Sequence, residues 1–110
     1  MQINKNVPIF SIDFNELLLD GSIVFFSQKD IKKNIFDKEI LIYEGMKVVI
    51  YMDDINNLNE KDKLVSSGYI IKNPIPDHYV KWCCKMQTEI AYELEDGNSI
   101  EYLLSQINNI

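Results

Sequence analysis

The longest regular pattern in the chain covers residues 80–94. Every even-numbered residue in it except Thr88 is apolar, and the odd positions are mostly Lys, Gln and Glu. Because successive side chains of an extended chain point to opposite faces, this two-residue period predicts β-structure with one buried and one solvated face. A two-residue turn at Gln87 and Thr88 would break the parity. The sequence therefore predicts either one bent strand or a turn with an odd number of residues.

Shorter runs of β-branched and aromatic residues predict further strands. Pro8 lacks a backbone donor and marks an edge strand, whereas the run that ends at Ser27 is apolar on both faces, as an interior strand would be. Gly68 indicates a bulge, a bend or a close backbone approach. Glu44 and Gly45 predict a tight turn between two strands. The predicted strands are residues 7–10, 22–27, 39–43, 47–52 and 64–72.

Helix signals occur near the two ends of the chain. Asp13 and Glu16 resemble a capping box and Gly21 is a C′ stop, so a short helix is predicted over residues 14–20. One or two helical turns are possible within residues 28–34.

A final helix is predicted after Asn98, which with Glu101 has capping-box spacing. Its apolar positions follow the i, i+3, i+4, i+7 template. These positions are Ile100, Leu103, Leu104 and Ile107.

These elements predict an α+β, mainly β fold. We expect a strongly bent antiparallel sheet or a small SH3-like barrel of five to six strands, with short N-terminal and C-terminal helices. Residues 53–63 and 73–77 are predicted to be loops. The length of 110 residues, with no linker or repeat, predicts one domain over residues 1–110. The first residues lack the apolar stretch of a secretory signal and no run is long enough for a membrane span, so we expect a cytoplasmic protein without membrane contact.

The net charge of the chain indicates which class of ligand it can bind. Seventeen acidic and eleven basic residues give a formal charge of −6, which disfavours direct contact with nucleic acid. An acidic surface can speed capture of a basic partner, and it can also simply keep a protein soluble.

The thiols and the single histidine give a weak signal for catalysis. Cys83 and Cys84 are neighbours that point to opposite faces of a strand, so we expect reduced thiols and no disulfide between them. Cys84 falls in the apolar register and is expected in the core, whereas Cys83 is either exposed or covered by another element. As a nucleophile, Cys83 would need His78, which is predicted to lie in a loop, as its base.

Residues 53–60 hold the densest set of oxygen ligands. With Asp54 and Asn56 in the first and third positions of an EF-hand loop, Leu58 occupies the fifth position and no glycine follows. There is also no Gly-x-Ser-x-Gly elbow and no glycine-rich phosphate loop. We therefore predict no metal, no cofactor and no enzymatic activity.

The same acidic segment is the best candidate for contact with a protein. Trp82 is expected to pack in the core rather than anchor an interface. Tyr51 and Tyr69 flank the segment in sequence and are expected near its base. The predicted partner-binding residues are Asp53, Asp54, Glu60, Asp62 and Tyr51.

A small, acidic, motif-free chain rich in Ile, Asn and Lys resembles the immunity proteins that bacteria keep beside their toxins. The resemblance implies a non-enzymatic inhibitor that binds the catalytic domain of a cognate toxin, often a basic nuclease, and blocks its active site. The alternative is an adaptor or regulatory small-barrel module that binds an extended peptide.

Overall fold

The structure, a computed structural model, describes residues 7–18 and 21–108, and it is 43% β-strand. A 3-10 turn at Phe14–Glu16 follows the first strand, and the helix α1 (Ile100–Asn108) ends the described chain. The strands are β1 (Ile9–Ser11), β2 (Ile23–Ser27), β3 (Ile31–Lys33), β4 (Glu39–Leu41), β5 (Lys47–Ile55), β6 (Lys61–Lys72), β7 (Trp82–Met86) and β8 (Ala91–Tyr92).

Six strands form one curled half-barrel sheet in the order β1-β5-β6-β7-β2, with β8 also paired to β6. All neighbours are antiparallel except β1 and β5, which are parallel. The concave face encloses the larger core, which includes Phe10, Ile50 and Trp82, while α1 covers Val49 and Val65 on the other face. The predicted mainly β class, with a bent sheet and a C-terminal helix, is confirmed.

The alternating run over residues 80–94 forms β7 and β8, which pair with successive parts of β6. Between them, residues 87–90 lie opposite only two residues of β6, Ser66 and Ser67. The chain thus has two more residues here than β6 has. Because two is an even number, the even-numbered side chains before and after the bend face the same side of the sheet, and the alternation is preserved. The bend includes Thr88, whose hydroxyl accepts from the Ser67 N–H at 2.9 Å. Of the two predicted alternatives, the chain follows the bend: it keeps its direction along β6, although it is divided into the two strands β7 and β8. The hydrogen bond to Ser67 explains why Thr88 breaks the apolar pattern.

Gly68 marks the close approach of two strands. It pairs with Met86, and a Cβ atom at this position would collide with the backbone carbonyl of Lys85. No side chain fits there, so one of the three predicted reasons for this glycine, a close backbone approach, is the observed one.

Several sequence-based predictions were wrong about local structure. Of the predicted helix over residues 14–20, only Phe14–Glu16 is helical, and residues 19 and 20 lie outside the described part. Residues 28–34 contain no helical turn; Ile31–Lys33 form β3 instead, because β3 pairs with β4 in a separate two-stranded sheet. For the same reason β4 does not pair with β5 through the turn at Gly45.

Two other predictions need correction in detail. β2 lies at the edge of the sheet rather than in its interior, and a bridge between Leu17 and Val24 covers it. The C-terminal helix is confirmed, but its cap is Ser99, whose hydroxyl accepts from the Tyr102 N–H at 3.0 Å. The Asn98 amide instead donates to the Val65 carbonyl at 3.0 Å.

Trp82 packs in the larger core, as predicted, with 7% of its surface exposed. Its indole N–H donates to the carboxylate of Asp30 at 2.9 Å, so the one polar atom of the ring is satisfied. No helix in the described part of the chain is long and apolar enough to span a membrane.

Candidate partner-binding site

The segment predicted as a loop over residues 53–63 is mostly strand. Asp53 to Ile55 belong to β5 and Lys61 to Lys63 belong to β6, so only residues 56–60 form the turn. The prediction failed because a polar composition was taken for a loop, whereas the two polar strand ends pair with each other. Asp53 lies opposite Lys63, and their charged groups are 3.2 Å apart.

The turn is held by the side chain of Asn56, which is buried. Its amide oxygen accepts from the N–H groups of Leu58 at 2.9 Å and Glu60 at 3.1 Å. Its amide nitrogen donates to Asp62 at 2.9 Å. When an Asn or Asp side chain accepts hydrogen bonds from the backbone of the second and fourth residues after it, it stabilises a turn that has no regular secondary structure. The turn that carries Glu60 is therefore a defined shape.

Asp62 is a structural carboxylate and not the exposed contact residue that the sequence predicted. Only 7% of its surface is exposed. Besides Asn56, it accepts from the backbone N–H groups of Lys63, Leu94 and Glu95 at 2.7, 2.9 and 3.0 Å. Although burial opposes ionisation, these hydrogen bonds together lower the pKa of Asp62 to about 2.

The other predicted residues divide between the two faces of the β5–β6 hairpin. Asp54 is on the concave face, half-buried, and its carboxylate is 2.8 Å from the hydroxyl of Tyr92. This hydrogen bond is the main reason that the pKa of Tyr92 rises to about 12. Asp53 is exposed on the opposite face, and Glu60 is exposed in the turn.

Tyr51 is half-buried on the same face as Asp53. Its ring packs against the smaller core cluster beneath α1, which includes Val49, Val65 and Leu103, and the Lys63 ammonium lies 5.7 Å from the ring centroid. Only part of its surface is open to a partner. Tyr69 is not near the acidic segment, since it pairs with Lys47 at the other end of the hairpin.

Sequence reasoning missed the segment 92–96, which docks on the end of the hairpin. The Glu95 carboxylate accepts from the backbone N–H of Asn57 at 2.8 Å, and the Glu93 N–H donates to the Lys63 carbonyl at 2.8 Å. A sequence signal existed, because Glu93, Glu95 and Asp96 cluster at the end of the alternating run. Their proximity to residues 53–63 was not visible in the sequence.

We call residues 53–63 together with 92–96 the acidic end. It contains seven carboxylates and two lysines. Three large apolar side chains are exposed within it: Ile55 at 50%, Leu58 at 64% and Leu94 at 68%. Ile55 and Leu94 both line a groove of about 710 Å³. Exposed apolar side chains surrounded by charged groups have the composition of a protein-binding site, in which apolar anchors are enclosed by a polar rim.

The carboxylates of a cluster such as the acidic end can also bind metal ions. In the part of the chain that the structure describes, however, no group of three or more His, Cys, Asp or Glu side chains is arranged to hold one.

Cys83 and His78 do not have the surroundings of a catalytic nucleophile and its general base. Cys83 is fully buried, and burial raises the pKa of its thiol to about 11. The ring of His78 stacks on Tyr79 and packs at a tilt against Phe25, with centroids 4.6 and 4.8 Å away. Its Nδ1 accepts from the backbone N–H of Val80 at 3.1 Å. At neutral pH the thiol is therefore protonated, and the imidazole holds its own loop.

Comparison with protein-family models, with curated proteins and with solved structures found no match to this chain.

Proposed function

We propose that this protein is a binding inhibitor, and specifically an immunity protein that neutralises a cognate bacterial toxin. In this proposal the acidic end binds a basic surface of the toxin's catalytic domain, such as the substrate cleft of a nuclease. Binding blocks access of the substrate, and the inhibitor itself makes or breaks no bond. The protein would act in the cytoplasm and would touch neither membrane nor nucleic acid.

The observation that carries the proposal is the concentration of charge around exposed apolar groups. The two segments that carry the exposed Ile55, Leu58 and Leu94 also contain seven carboxylates and two lysines. A negative field speeds the encounter with a basic protein, and apolar anchors that become buried slow its dissociation. Solubility alone requires dispersed charge, and it gives no reason for apolar side chains in the same place.

The internal hydrogen bonds of the acidic end add a second argument. Asn56, Asp62 and Glu95 fasten the turn and the segment 92–96 to the sheet. A surface that is ordered before binding loses less conformational entropy in the complex. Such preorganisation suits a tight inhibitor that must act as soon as it meets its target.

A peptide-binding adaptor is the second candidate, and an open strand edge favours it. β1 pairs only with Val49 to Tyr51 of β5, so residues 52–55 have no strand neighbour on that side within the described chain. An extended peptide could add there as a further strand. The exposed carboxylate of Asp53 on this stretch also disfavours non-specific pairing.

Co-expression with the product of the neighbouring open reading frame tests the proposal. We expect a tight one-to-one complex and protection of the host cell from that product. Weak capture of many unrelated extended peptides would favour the adaptor. Failure to bind or to protect would contradict the immunity function.

A further inference from the structure

A second exposed apolar surface lies on the two-stranded sheet, away from the acidic end. Large hydrophobic side chains within residues 31–43 are between 36% and 74% exposed. We call this surface the hairpin patch. It consists of Ile31, Ile35, Phe36, Leu41 and Tyr43.

The strand register explains why these side chains face outwards. Lys32 and Ile40 pair with each other and are half-buried, with Ile40 against the larger core. The alternation of a strand then turns the pair Ile31 and Leu41 to solvent. A directly opposed, exposed Ile–Leu pair is unusual on a sheet face that only meets water, because such faces carry polar residues.

The charge around the hairpin patch is nearly balanced. Residues 29–47 contain five lysines and four carboxylates, whereas the whole chain carries a net charge of −6. Two copies of so acidic a protein repel each other through most of their surfaces. Because the charges of residues 29–47 nearly cancel, this repulsion is weak at the hairpin patch.

The charged residues beside Ile31 and Leu41 can form opposite-charge pairs with the same residues of a second copy. Lys33 and Glu39 lie opposite each other on the two strands and are both exposed on the same face as Leu41. The Lys33 ammonium is also 3.6 Å from the Asp37 carboxylate, in an ion pair that is itself exposed to solvent. In a twofold symmetric contact the same residues meet from both sides, so a lysine of one copy can meet a glutamate of the other. The patch thus offers each copy both an apolar centre and an opposite charge.

We propose that the hairpin patch binds a second copy of this chain in a twofold symmetric dimer. Leu41 and Phe36 lie at its centre, and Lys33 of each copy faces Glu39 of the other. The proposal is independent of the function assigned to the acidic end, which stays open in the dimer.

The size of the patch fits a weak dimer. From their exposed fractions, its side chains offer on the order of 500 Å² of apolar surface per copy. Patches of about 300–600 Å² are the largest that monomers usually expose, and a standard interface buries about 800 Å² per partner. The apolar centre alone is smaller than one side of a standard interface, so we expect the dimer to be weak.

Sedimentation velocity of the intact chain over a wide concentration range tests the proposal. We expect the average mass to rise from 12.9 kDa towards twice that value. Leu41→Lys is expected to weaken the dimer about tenfold or more. Leu58→Lys is the matched control, because Leu58 is 64% exposed and Leu41 is 65% exposed, and it should leave the dimer unchanged.

Charge exchange tests the arrangement of the two copies. Lys33→Glu alone should weaken the dimer through like charges, and the double variant with Glu39→Lys should restore it. Circular dichroism and thermal melts would check that each variant is folded. A wild-type chain that stays monomeric at every concentration, equal loss in both leucine variants, or no recovery in the double variant would overturn the proposal.

Discussion

Asp54 and Asp62 lie directly opposite each other on β5 and β6, and each carboxylate binds a different group of the segment after β7. The Tyr92 hydroxyl is 2.8 Å from Asp54, whereas the N–H groups of Leu94 and Glu95 donate to Asp62. Like charges in directly opposed positions destabilise a strand pair. These hydrogen bonds offset the repulsion, so the hairpin and the docked segment form one structural unit.

Replacing Asp62 should therefore loosen the acidic end. Asp62→Asn is expected to destabilise the protein at neutral pH, because an amide would point a donor at N–H groups that now have an acceptor. Asp53→Asn is the control, since the side chain of Asp53 is 79% exposed and should have little effect. Urea unfolding at neutral pH measures both variants. Equal stability of Asp62→Asn and the wild type would contradict the structural role.

The same carboxylate predicts a pH dependence. The pKa of Asp62 is about 2, below its ordinary value of 3.8. A lowered pKa means that its stabilisation is complete above about pH 4 and is lost as the pH falls through about 2. The difference in stability between the wild type and Asp62→Asn should therefore shrink across this window. A difference that stays constant from pH 5 to pH 2 would show that the carboxylate charge is not involved.

Trp82 is predicted to be a major support of the larger core. Trp82→Ala should lower the free energy of unfolding by roughly 3 to 5 kcal/mol, because it leaves a cavity in a buried site. Trp82→Phe keeps most of the packing and loses the hydrogen bond to Asp30, so its effect should be smaller. Urea melts measure both. A loss below about 1 kcal/mol for Trp82→Ala would contradict the core assignment.

The two thiols should be inert in the folded protein. Burial raises the pKa of Cys83 to about 11 and that of Cys84 to about 12, so few thiolates exist at neutral pH. A disulfide reagent such as DTNB should label them slowly in buffer and rapidly in urea. Fast labelling of Cys83 in buffer would show that its thiolate is accessible, and it would support a catalytic role for this residue.

Local sequence patterns predicted the elements that are determined by residues close together in the chain. The β-structure within residues 80–94, the buried Trp82 and the C-terminal helix all follow from patterns in a short window, whereas the bend and the close approach at Gly68 were each one of several predicted alternatives. They are found where the sequence predicted them, although the helix is capped by Ser99.

Elements that depend on distant partners were not predictable. Helical turns were predicted within residues 28–34, but Ile31–Lys33 form a strand because β4 pairs with it. The polar residues 53–63 extend a hairpin because opposite charges and Asn56 hold its end. The acidic end joins segments that are about thirty residues apart in sequence, so the contribution of Glu93, Glu95 and Asp96 could not be derived from composition.

Charge at the acidic end should control the rate of binding. In the double variant Asp53→Lys and Glu60→Lys, two exposed carboxylates are replaced. Glu16→Lys with Glu44→Lys is the matched control, because these two glutamates are exposed outside the acidic end and the net charge changes equally. Electrostatic steering depends on where the charge lies, so only the first variant should bind slowly.

Stopped-flow association with the product of the neighbouring open reading frame, at low and high salt, compares the two double variants with the wild type. We expect the acidic-end variant to associate about tenfold more slowly at low salt, the control to stay near the wild-type rate, and all three rates to converge at high salt. Equal association rates for the two double variants at low salt would contradict recognition through the acidic end.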